Sequence, residues 1–202
     1  NYFSPSDGVK SRILQEIANA QSKICFLMFS FTDGGAGSLS EAMVNKATGS
    51  PPVAVRGVLD RHQGLSAYSQ LNYFLKNQIP VKLDTFSGLL HHKLIIIDQG
   101  GADPRVITGS YNLSANAEDN NDENIVIIHN AELVDSYYYL FDDIYTNYAD
   151  FPPSLAEDKL VINEILAEGS FRFFDVNDSN NWARSLGDEG SSPGRENVAD
   201  TV

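Results

Sequence analysis

The stretch HHKLIIID, residues 91–98, has the composition of a buried β-strand that opens with chemically active side chains. Residues 94–97 are all apolar, and the isoleucines are β-branched, which favours a strand covered on both faces of a sheet. In an extended segment residues i and i+2 project to the same face, so His91 and Lys93 emerge together and His92 turns away. The pattern therefore predicts an imidazole and an ammonium in one pocket, held on a rigid element.

A second short strand is predicted at residues 105–108, and it leads into polar side chains with the same spacing. Ser110 and Asn112 again stand at i and i+2, so a hydroxyl and an amide join the imidazole and the ammonium. Groups of these four kinds can together hold the oxygens of a phosphate. The two strands and the residues beside them are the part of the chain that predicts chemistry.

The order His-x-Lys-x4-Asp with a later Gly-Ser-x-Asn resembles the HKD motif of the phospholipase D superfamily. Residues 112–124, which end in Glu123 and Asn124, resemble the nuclease branch of that family, its small bacterial endonucleases and their mitochondrial relatives, more than the lipases. The similarity runs from about Tyr2 to Tyr148 and includes FSP at 3–5, FSFT at 29–32 and VLD at 58–60. The family usually has a shorter segment between the motif Asp and its Gly. Residues 99–108, rich in Gly and Pro, are therefore expected to form an enlarged hairpin turn.

The resemblance implies a role for each motif residue. His91 would be the nucleophile that attacks phosphorus, giving a covalent phosphohistidine that water then resolves. Lys93 and Asn112 would bind the non-bridging oxygens, and Ser110 would orient or bond the phosphate. Glu123 would accept a hydrogen bond from the other ring nitrogen of His91 and so set its tautomer.

Two further residues complete the candidate site. Asp98 belongs to the motif, although we expect a structural hydrogen-bonding partner there rather than a catalyst, and Arg61 is a candidate for substrate binding. A fixed ammonium and amide donors can stabilise the charge of the transition state without a metal. One cysteine and four dispersed histidines supply no recognisable ligand cluster, so neither a metal nor a cofactor is expected.

A general acid for the leaving oxygen is not supplied by this motif, and family members use the histidine of a second HKD motif. His62 is expected in a loop after the strand 53–59, and His129 ends a different strand. A homodimer would bring two copies of His91 to one cleft, and a two-fold pair is the commonest oligomer geometry. We therefore predict a homodimer. The alternative is a longer parent chain with an upstream motif, because the sequence opens at Asn1 without Met or a signal segment.

The net charge argues against a nuclease. The chain has 14 basic and 27 acidic residues, a net charge of −13, whereas nucleic-acid binders usually carry a basic footprint. Lys93, Arg61, Lys82 and Arg105 are expected to make a local positive cleft, which a dimer would double. We accordingly expect modest affinity that depends on salt.

Strand and helix patterns alternate along the chain, which predicts an α/β domain with a layered, mixed β-sheet flanked by helices. Beyond the two motif strands, strands are predicted at 23–31, 53–59, 81–84 and 125–129, and helices around 13–18, from a Ser38–Glu41 capping box, at 66–76 and at 131–148. The last helix is expected to bury Leu133, Tyr137, Leu140, Phe141 and Ile144. Cys25 is expected inside a buried strand, and no run is long or apolar enough to span a membrane.

Consecutive prolines at 152 and 153 predict a domain boundary. Residues 1–150 would form the phospholipase D-like catalytic domain, and residues 151–202 a short, acidic, β-rich appendage. Segments 160–166 and 192–197 resemble the ends of a bacterial lamin-tail module. Residues 175–179 are taken as a polar turn, because a calcium loop would need a Gly and a Glu that are missing.

The sequence therefore favours a metal-independent phosphodiesterase, with a nuclease acting on DNA or RNA as the first choice. Two alternatives stay open. The first is a phospholipase D or phosphatidyl transferase acting on lipid headgroups, although no amphipathic interfacial segment is evident. The second is a non-catalytic nucleic-acid-binding module. The substrate, the strand and sequence preference, the role of the tail and the compartment are left open, a secreted or periplasmic bacterial protein being one candidate.

Overall fold

The structure is a computed structural model that describes residues 1–152. The strands are β1 Tyr2–Ser4, β2 Lys23–Met28, β3 Ala54–Leu59, β4 Val81–Asp84, β5 Lys93–Ile97, β6 Arg105–Gly109, β7 Glu123–Ile128 and β8 Ala149–Asp150. The helices are α1 Val9–Ala18, α2 Leu39–Thr48, α3 Arg61–Gly64, α4 Leu71–Lys76, α5 Ala115–Asp119 and α6 Ala131–Asn147.

The strands of this region form one mixed sheet of eight strands, in the order β1-β7-β6-β5-β2-β3-β4-β8. β2, β3 and β4 run parallel to one another, whereas β5 and β6 pair antiparallel with their neighbours. Helices lie in the connections, as a parallel sheet requires. The predicted α/β fold with a layered, mixed sheet is therefore confirmed.

The motif strand β5 is buried on both faces. Ile95 and Ile97 belong to the core that packs against α1, α2 and α4, and Leu94 and Ile96 belong to the core under α6. The sheet thus separates two apolar layers, and β5 contributes to both through the alternation of its side chains. The continuous apolar run of residues 94–97 reflects this double burial.

The predicted helices form, with different limits in two places. Ser38 caps α2, because its Oγ accepts from Glu41 N at 3.1 Å, while the Glu41 carboxylate reaches Gly37 N at 3.5 Å rather than Ser38 N. The helix expected at 66–76 begins only at Leu71. Residues 61–64 form α3 instead, so His62 lies in a helical turn and not in a loop.

Helix α6 buries a slightly different stripe from the one expected. Phe141 and Ile144 are buried as predicted, but Val134 takes the place assigned to Leu133, and Leu140 is 37% exposed. The strand expected at 23–31 ends at Met28. Cys25 is buried inside it, in agreement with the sequence.

Residues 98–104 connect β5 to β6 as an enlarged hairpin turn. Asp98 has φ 54° and Gly100 has φ 82°, so the chain reverses through left-handed conformations. Gly100 allows the left-handed conformation that the turn needs, and the additional residues lie at the end of the hairpin. The register of β5 on β6 is undisturbed, from Leu94 opposite Thr108 to Ile97 opposite Arg105.

Residues Asn1–Phe151 form one compact unit. The predicted appendage lies almost entirely outside the described residues, which end at 152. The same holds for its lamin-tail-like segments 160–166 and 192–197 and for the polar turn at 175–179. The domain assignment therefore stays a prediction. In residues 1–152 no helix combines the length and the apolar character needed to cross a membrane.

Candidate active site

Several elements end or begin at one edge of the sheet. Met28 at the end of β2 lies opposite Lys93 at the start of β5 and opposite Leu59 at the end of β3. Gly109 at the end of β6 lies opposite Ile125 near the start of β7. This edge, called the motif edge below, therefore gathers side chains that are distant in sequence.

His91 and Lys93 are in direct contact there. Lys93 Nζ lies 3.2 Å from His91 Nε2 and donates to the His91 carbonyl oxygen at 3.0 Å. An ammonium can only donate, so Nε2 is the acceptor and the ring hydrogen of neutral His91 resides on Nδ1. This is the tautomer in which Nε2 carries the lone pair that a nucleophile needs. His91 is exposed and Lys93 is half-buried.

An aromatic ring supports both groups. The Phe29 ring centroid lies 4.5 Å from that of His91, and Lys93 Nζ lies 4.9 Å from the same ring. Phe29 N also donates to the His92 carbonyl oxygen at 2.8 Å. Burial lowers the pKa of Lys93 below its usual value, although the negative charge of Glu123 opposes this.

Ser110 and Glu123 form a second group at the motif edge. Ser110 Oγ lies 3.1 Å from Glu123 Oε2 and 3.2 Å from Asn124 Oδ1, and it accepts from Asn124 N at 3.1 Å. In this structure Glu123 accepts from Ser110, and its expected hydrogen bond to the His91 ring stays a prediction. Gly109 has φ 152°, and a Cβ there would overlap the Asn124 carbonyl oxygen, so the motif glycine lets β6 and β7 approach closely.

Asn112 stands beside this group with free hydrogen-bonding capacity. Its Oδ1 is buried and has no hydrogen-bond partner among residues 1–152. The neighbouring Tyr111 is fixed, because its hydroxyl donates to Glu118 Oε1 at 2.8 Å, and burial raises the pKa of that hydroxyl. Leu113 O on the other side accepts from Thr32 N at 2.8 Å. The backbone on both sides of Asn112 is therefore held in place, while its Oδ1 has no hydrogen-bond partner among residues 1–152.

Asp98 lies at the other end of β5, about 23 Å along the strand from His91 at roughly 3.3 Å per residue. Its carboxylate accepts from Gln21 N, Ser22 N, Ser22 Oγ and Lys23 N at 2.7 to 3.2 Å. Although burial alone would raise the pKa of Asp98, these donors hold it below the usual range. The structure thus excludes Asp98 from the motif edge and makes it an anchor for the start of β2.

The prediction that four cations form a positive cleft is wrong for two of them. Arg105 is 2% exposed and forms ion pairs with Glu16 at 2.7 Å and with Asp98 at 3.7 Å, at the far end of the sheet. Lys82 Nζ donates to the Tyr145 carbonyl oxygen at 2.8 Å and lies over the Tyr145 ring. Arg61 does lie at the motif edge, directly after β3, with an exposed side chain.

Two buried carboxylates that the sequence did not single out as site residues fix this edge. Asp60 is fully buried; its Oδ1 accepts from His62 N and Gln63 N, and its Oδ2 accepts from Leu90 N at 3.0 Å. Asp84, also fully buried, accepts from Arg61 N at 2.7 Å and from Phe86 N at 2.9 Å. Asp60 therefore ties α3 to the residue before His91. The available signal was an acidic residue directly after β3 and at the last position of β4.

The other histidines are placed differently. Burial, with the nearby charges of Lys93 and His91, lowers the pKa of His92, and its buried Nδ1 has no partner among residues 1–152. His129 Nδ1 lies 2.8 Å from Asp103 Oδ1, beyond the opposite end of β7. Within residues 1–152 there is no group of three or more His, Cys, Asp or Glu side chains that could hold a metal ion.

Known proteins match the larger part of this chain. The family described as "Cardiolipin synthase, PLD-like domain" matches residues 13–145. A phospholipase D of Rickettsia conorii is 35% identical over 136 residues, which is 67% of this chain and 63% of that protein. The human mitochondrial cardiolipin hydrolase is 31% identical over 149 residues, which is 71% of this chain and 55% of that protein. This chain thus spans less than two thirds of the length of these relatives.

Solved structures agree. Nuc from Salmonella typhimurium, a phospholipase D family member, has a TM-score of 0.64 and 28% identity, and the similarity covers 75% of this chain and 96% of Nuc. NucT from Helicobacter pylori, at 20% identity, shares the fold with a TM-score of 0.62, covering 74% of this chain and 96% of NucT. With a family match over more than half of its length and a motif edge built from His91, Lys93 and Asn112, this chain belongs to the phospholipase D superfamily of phosphodiesterases.

Proposed function

We propose that this protein is a metal-independent phosphodiesterase that hydrolyses nucleic acid through a covalent intermediate on His91. The single observation that carries the proposal is the contact between His91 Nε2 and Lys93 Nζ at 3.2 Å. It presents a nucleophilic nitrogen in the correct tautomer and places a cation where the charge of a phosphate would develop.

The proposed reaction has two steps. In the first, the His91 Nε2 lone pair forms a bond to phosphorus while the bond from phosphorus to the leaving oxygen breaks, and a general acid protonates that oxygen. In the second, water attacks phosphorus and gives a proton to the group that acted as the general acid, while the bond to Nε2 breaks and its electron pair returns to the imidazole. An entering phosphate is a stronger partner for the Lys93 ammonium than a neutral imidazole is, so Lys93 turns to a non-bridging oxygen and releases Nε2. The Asn112 side chain supplies the second contact by donating through Nδ2 to another non-bridging oxygen, since its Oδ1 can only accept.

The general acid is proposed to come from a second copy of His91 in a homodimer. Exposed apolar side chains on the same edge support this pairing, because Leu65 is 60%, Phe86 37% and Leu89 59% exposed. Apolar groups beside an active site are an interface feature more often than a solvated one. An HKD motif upstream in a longer chain is the alternative source of the acid.

A nucleic acid is proposed as the substrate because residues 112–124 resemble the nuclease branch of the family. A phospholipid is the second candidate. It is favoured by the names of the similar phospholipase D and cardiolipin hydrolase proteins and by the net charge of −13, which opposes a polyanion. Both candidates share the same phosphodiester chemistry at His91.

The test is turnover of single-stranded DNA, double-stranded DNA, RNA and a short-chain phosphatidylcholine, all in excess EDTA. His91→Asn is the inactive variant, and His129→Asn is the matched control, because His129 pairs with Asp103 away from the motif edge. Chelator-resistant nucleic-acid cleavage that only His91→Asn abolishes supports the proposal. Turnover of the phosphatidylcholine alone would identify a phospholipid, the second candidate, as the substrate. Binding of nucleic acid without any turnover contradicts an enzyme and favours a binding module.

A further inference from the structure

Phe29 touches both groups on which the proposed chemistry depends. Its ring centroid is 4.5 Å from the His91 ring, at an interplanar angle of 57°, and 4.9 Å from Lys93 Nζ. Its backbone N–H bonds the His92 carbonyl oxygen at 2.8 Å, so one residue contacts 91, 92 and 93 in turn. Phe29 is half-buried, whereas Phe26 and Phe31 of the same segment are core residues.

We propose that Phe29 is a positioning residue, whose ring holds the His91 imidazole and the Lys93 ammonium in the arrangement that receives a phosphate. This inference rests on the proposed function and adds a residue to it. An aromatic ring restrains the imidazole by contact, and its negative face attracts the ammonium.

The type of support matters for an anion site. A carboxylate in the same place would hold Lys93 more tightly, but it would also cancel the positive charge that the phosphate must meet. The nearby carboxylate, Glu123, is bonded by Ser110 at 3.1 Å. The ring of Phe29 therefore steadies the ammonium without neutralising it. Lys93 can turn from Nε2 to the substrate while it remains over the same aromatic face.

The Phe29→Leu variant separates this role from ordinary packing. Leucine keeps an apolar side chain but lacks the aromatic face, whereas Phe29→Tyr keeps the ring. Tyr139→Leu is the matched control, since Tyr139 is 79% exposed on α6. Each variant is measured for unfolding temperature, for the Kd of inorganic phosphate by calorimetry, and for kcat and KM on bis(p-nitrophenyl) phosphate in EDTA.

We expect Phe29→Leu to weaken phosphate binding by about tenfold, which is the size of a partly buried cation–π contact. The kcat should fall by a larger factor than the phosphate affinity, and the unfolding temperature should be nearly unchanged. Phe29→Tyr and Tyr139→Leu should match the natural protein. Equal phosphate affinity and equal kcat in Phe29→Leu overturn the inference, as does a parallel loss in Phe29→Tyr. If Phe29→Leu unfolds, Phe29→Met provides the same comparison.

The two proposals fail in different ways. A natural protein that binds phosphate but does not cleave any diester overturns the proposed function, and the phosphate arm still decides the role of Phe29. A natural protein that cleaves the diester, with a Phe29→Leu variant that cleaves it equally well, overturns the inference alone. Failure of the natural protein to bind phosphate overturns the inference, because no anion site is then present for Phe29 to organise.

Discussion

Lys93 binds phosphate in this account only while it is protonated. Burial lowers its pKa below the ordinary value of 10.5, so its charge is lost as the pH rises through that lowered pKa. We predict an alkaline limb in the profile of kcat/KM against pH that lies below pH 10.5. Lys93→Arg keeps a charge at all these pH values and should remove this limb, at lower overall activity. A limb that persists in Lys93→Arg would assign it to another group.

Residue-level features differ in how well the sequence predicts them. His91 and Lys93 meet because i and i+2 share a face of a strand, which is a local rule that sequence alone supplies. The partner of Glu123 depends on how β6 and β7 approach at Gly109, where the carboxylate accepts from Ser110. Arg105 has the same charge as Arg61, but its ion pairs with Glu16 and Asp98 are long-range contacts that no local pattern reveals.

At the scale of elements, Asp60 joins α3 to the lead-in of β5. Replacing it with Asn removes the charge that three backbone N–H groups share and places an amide N–H₂ beside some of them. We expect Asp60→Asn to lower the free energy of unfolding by about 2–3 kcal/mol and to lower kcat, because the segment that carries His91 loses its anchor. Urea denaturation and turnover of a chromogenic diester measure the two effects. Asp143→Asn, at an exposed site on α6 that bonds Asn147, is the control. Unchanged kcat in a destabilised Asp60→Asn would leave Asp60 a purely structural residue.

Asp98 anchors the other end of β5, and its effect should depend on pH. Its folded-state pKa is lowered, so its contribution to stability is present above the unfolded-state pKa of about 3.9 and is lost as the pH falls through the folded-state value. We predict that Asp98→Asn lowers the free energy of unfolding by about 2–3 kcal/mol at pH 7 and that the deficit shrinks below about pH 4.

Denaturant titrations of both proteins across that pH range test the prediction. A deficit that is constant with pH would contradict it. The kcat of Asp98→Asn at neutral pH should equal that of the natural protein, since Asp98 lies at the end of β5 remote from His91. A loss of kcat in the folded variant would return Asp98 to the catalytic group.

The element pattern shows why the fold was more predictable than the limits of its parts. The apolar runs ICFLM in β2 and LIII in β5 are continuous, so their burial is evident from the sequence. The region 61–76 is different. Asp84 accepts from Arg61 N and Asp60 accepts from His62 N, so the first residues form α3, and α4 begins only at Leu71. In α6, Leu140 has a spacing suited to the core but is 37% exposed, whereas its neighbour Phe141 is fully buried in the core under the helix.

At the scale of the whole molecule, a shared site has a quantitative signature. If one His91 attacks and the second His91 of a homodimer protonates the leaving oxygen, a pair that lacks one of them is inactive. Mixing the natural protein with an equal amount of His91→Asn, with exchange of subunits, should then leave about a quarter of the natural activity per total protein rather than half, since pairing is random. The activity per total protein should then vary with the square of the fraction of natural protein in the mixture. A linear dependence would mean that each chain acts alone.

In the proposed reaction His91 becomes covalently bonded to phosphorus without a metal. The most direct measurement is to stop turnover in excess EDTA with denaturant at mildly alkaline pH, which preserves a nitrogen–phosphorus bond, and to locate the adduct by peptide mass spectrometry. We predict a phosphorus adduct on the peptide containing His91 that is absent in His91→Asn. Turnover that EDTA abolishes, or an adduct on another residue, would contradict the account.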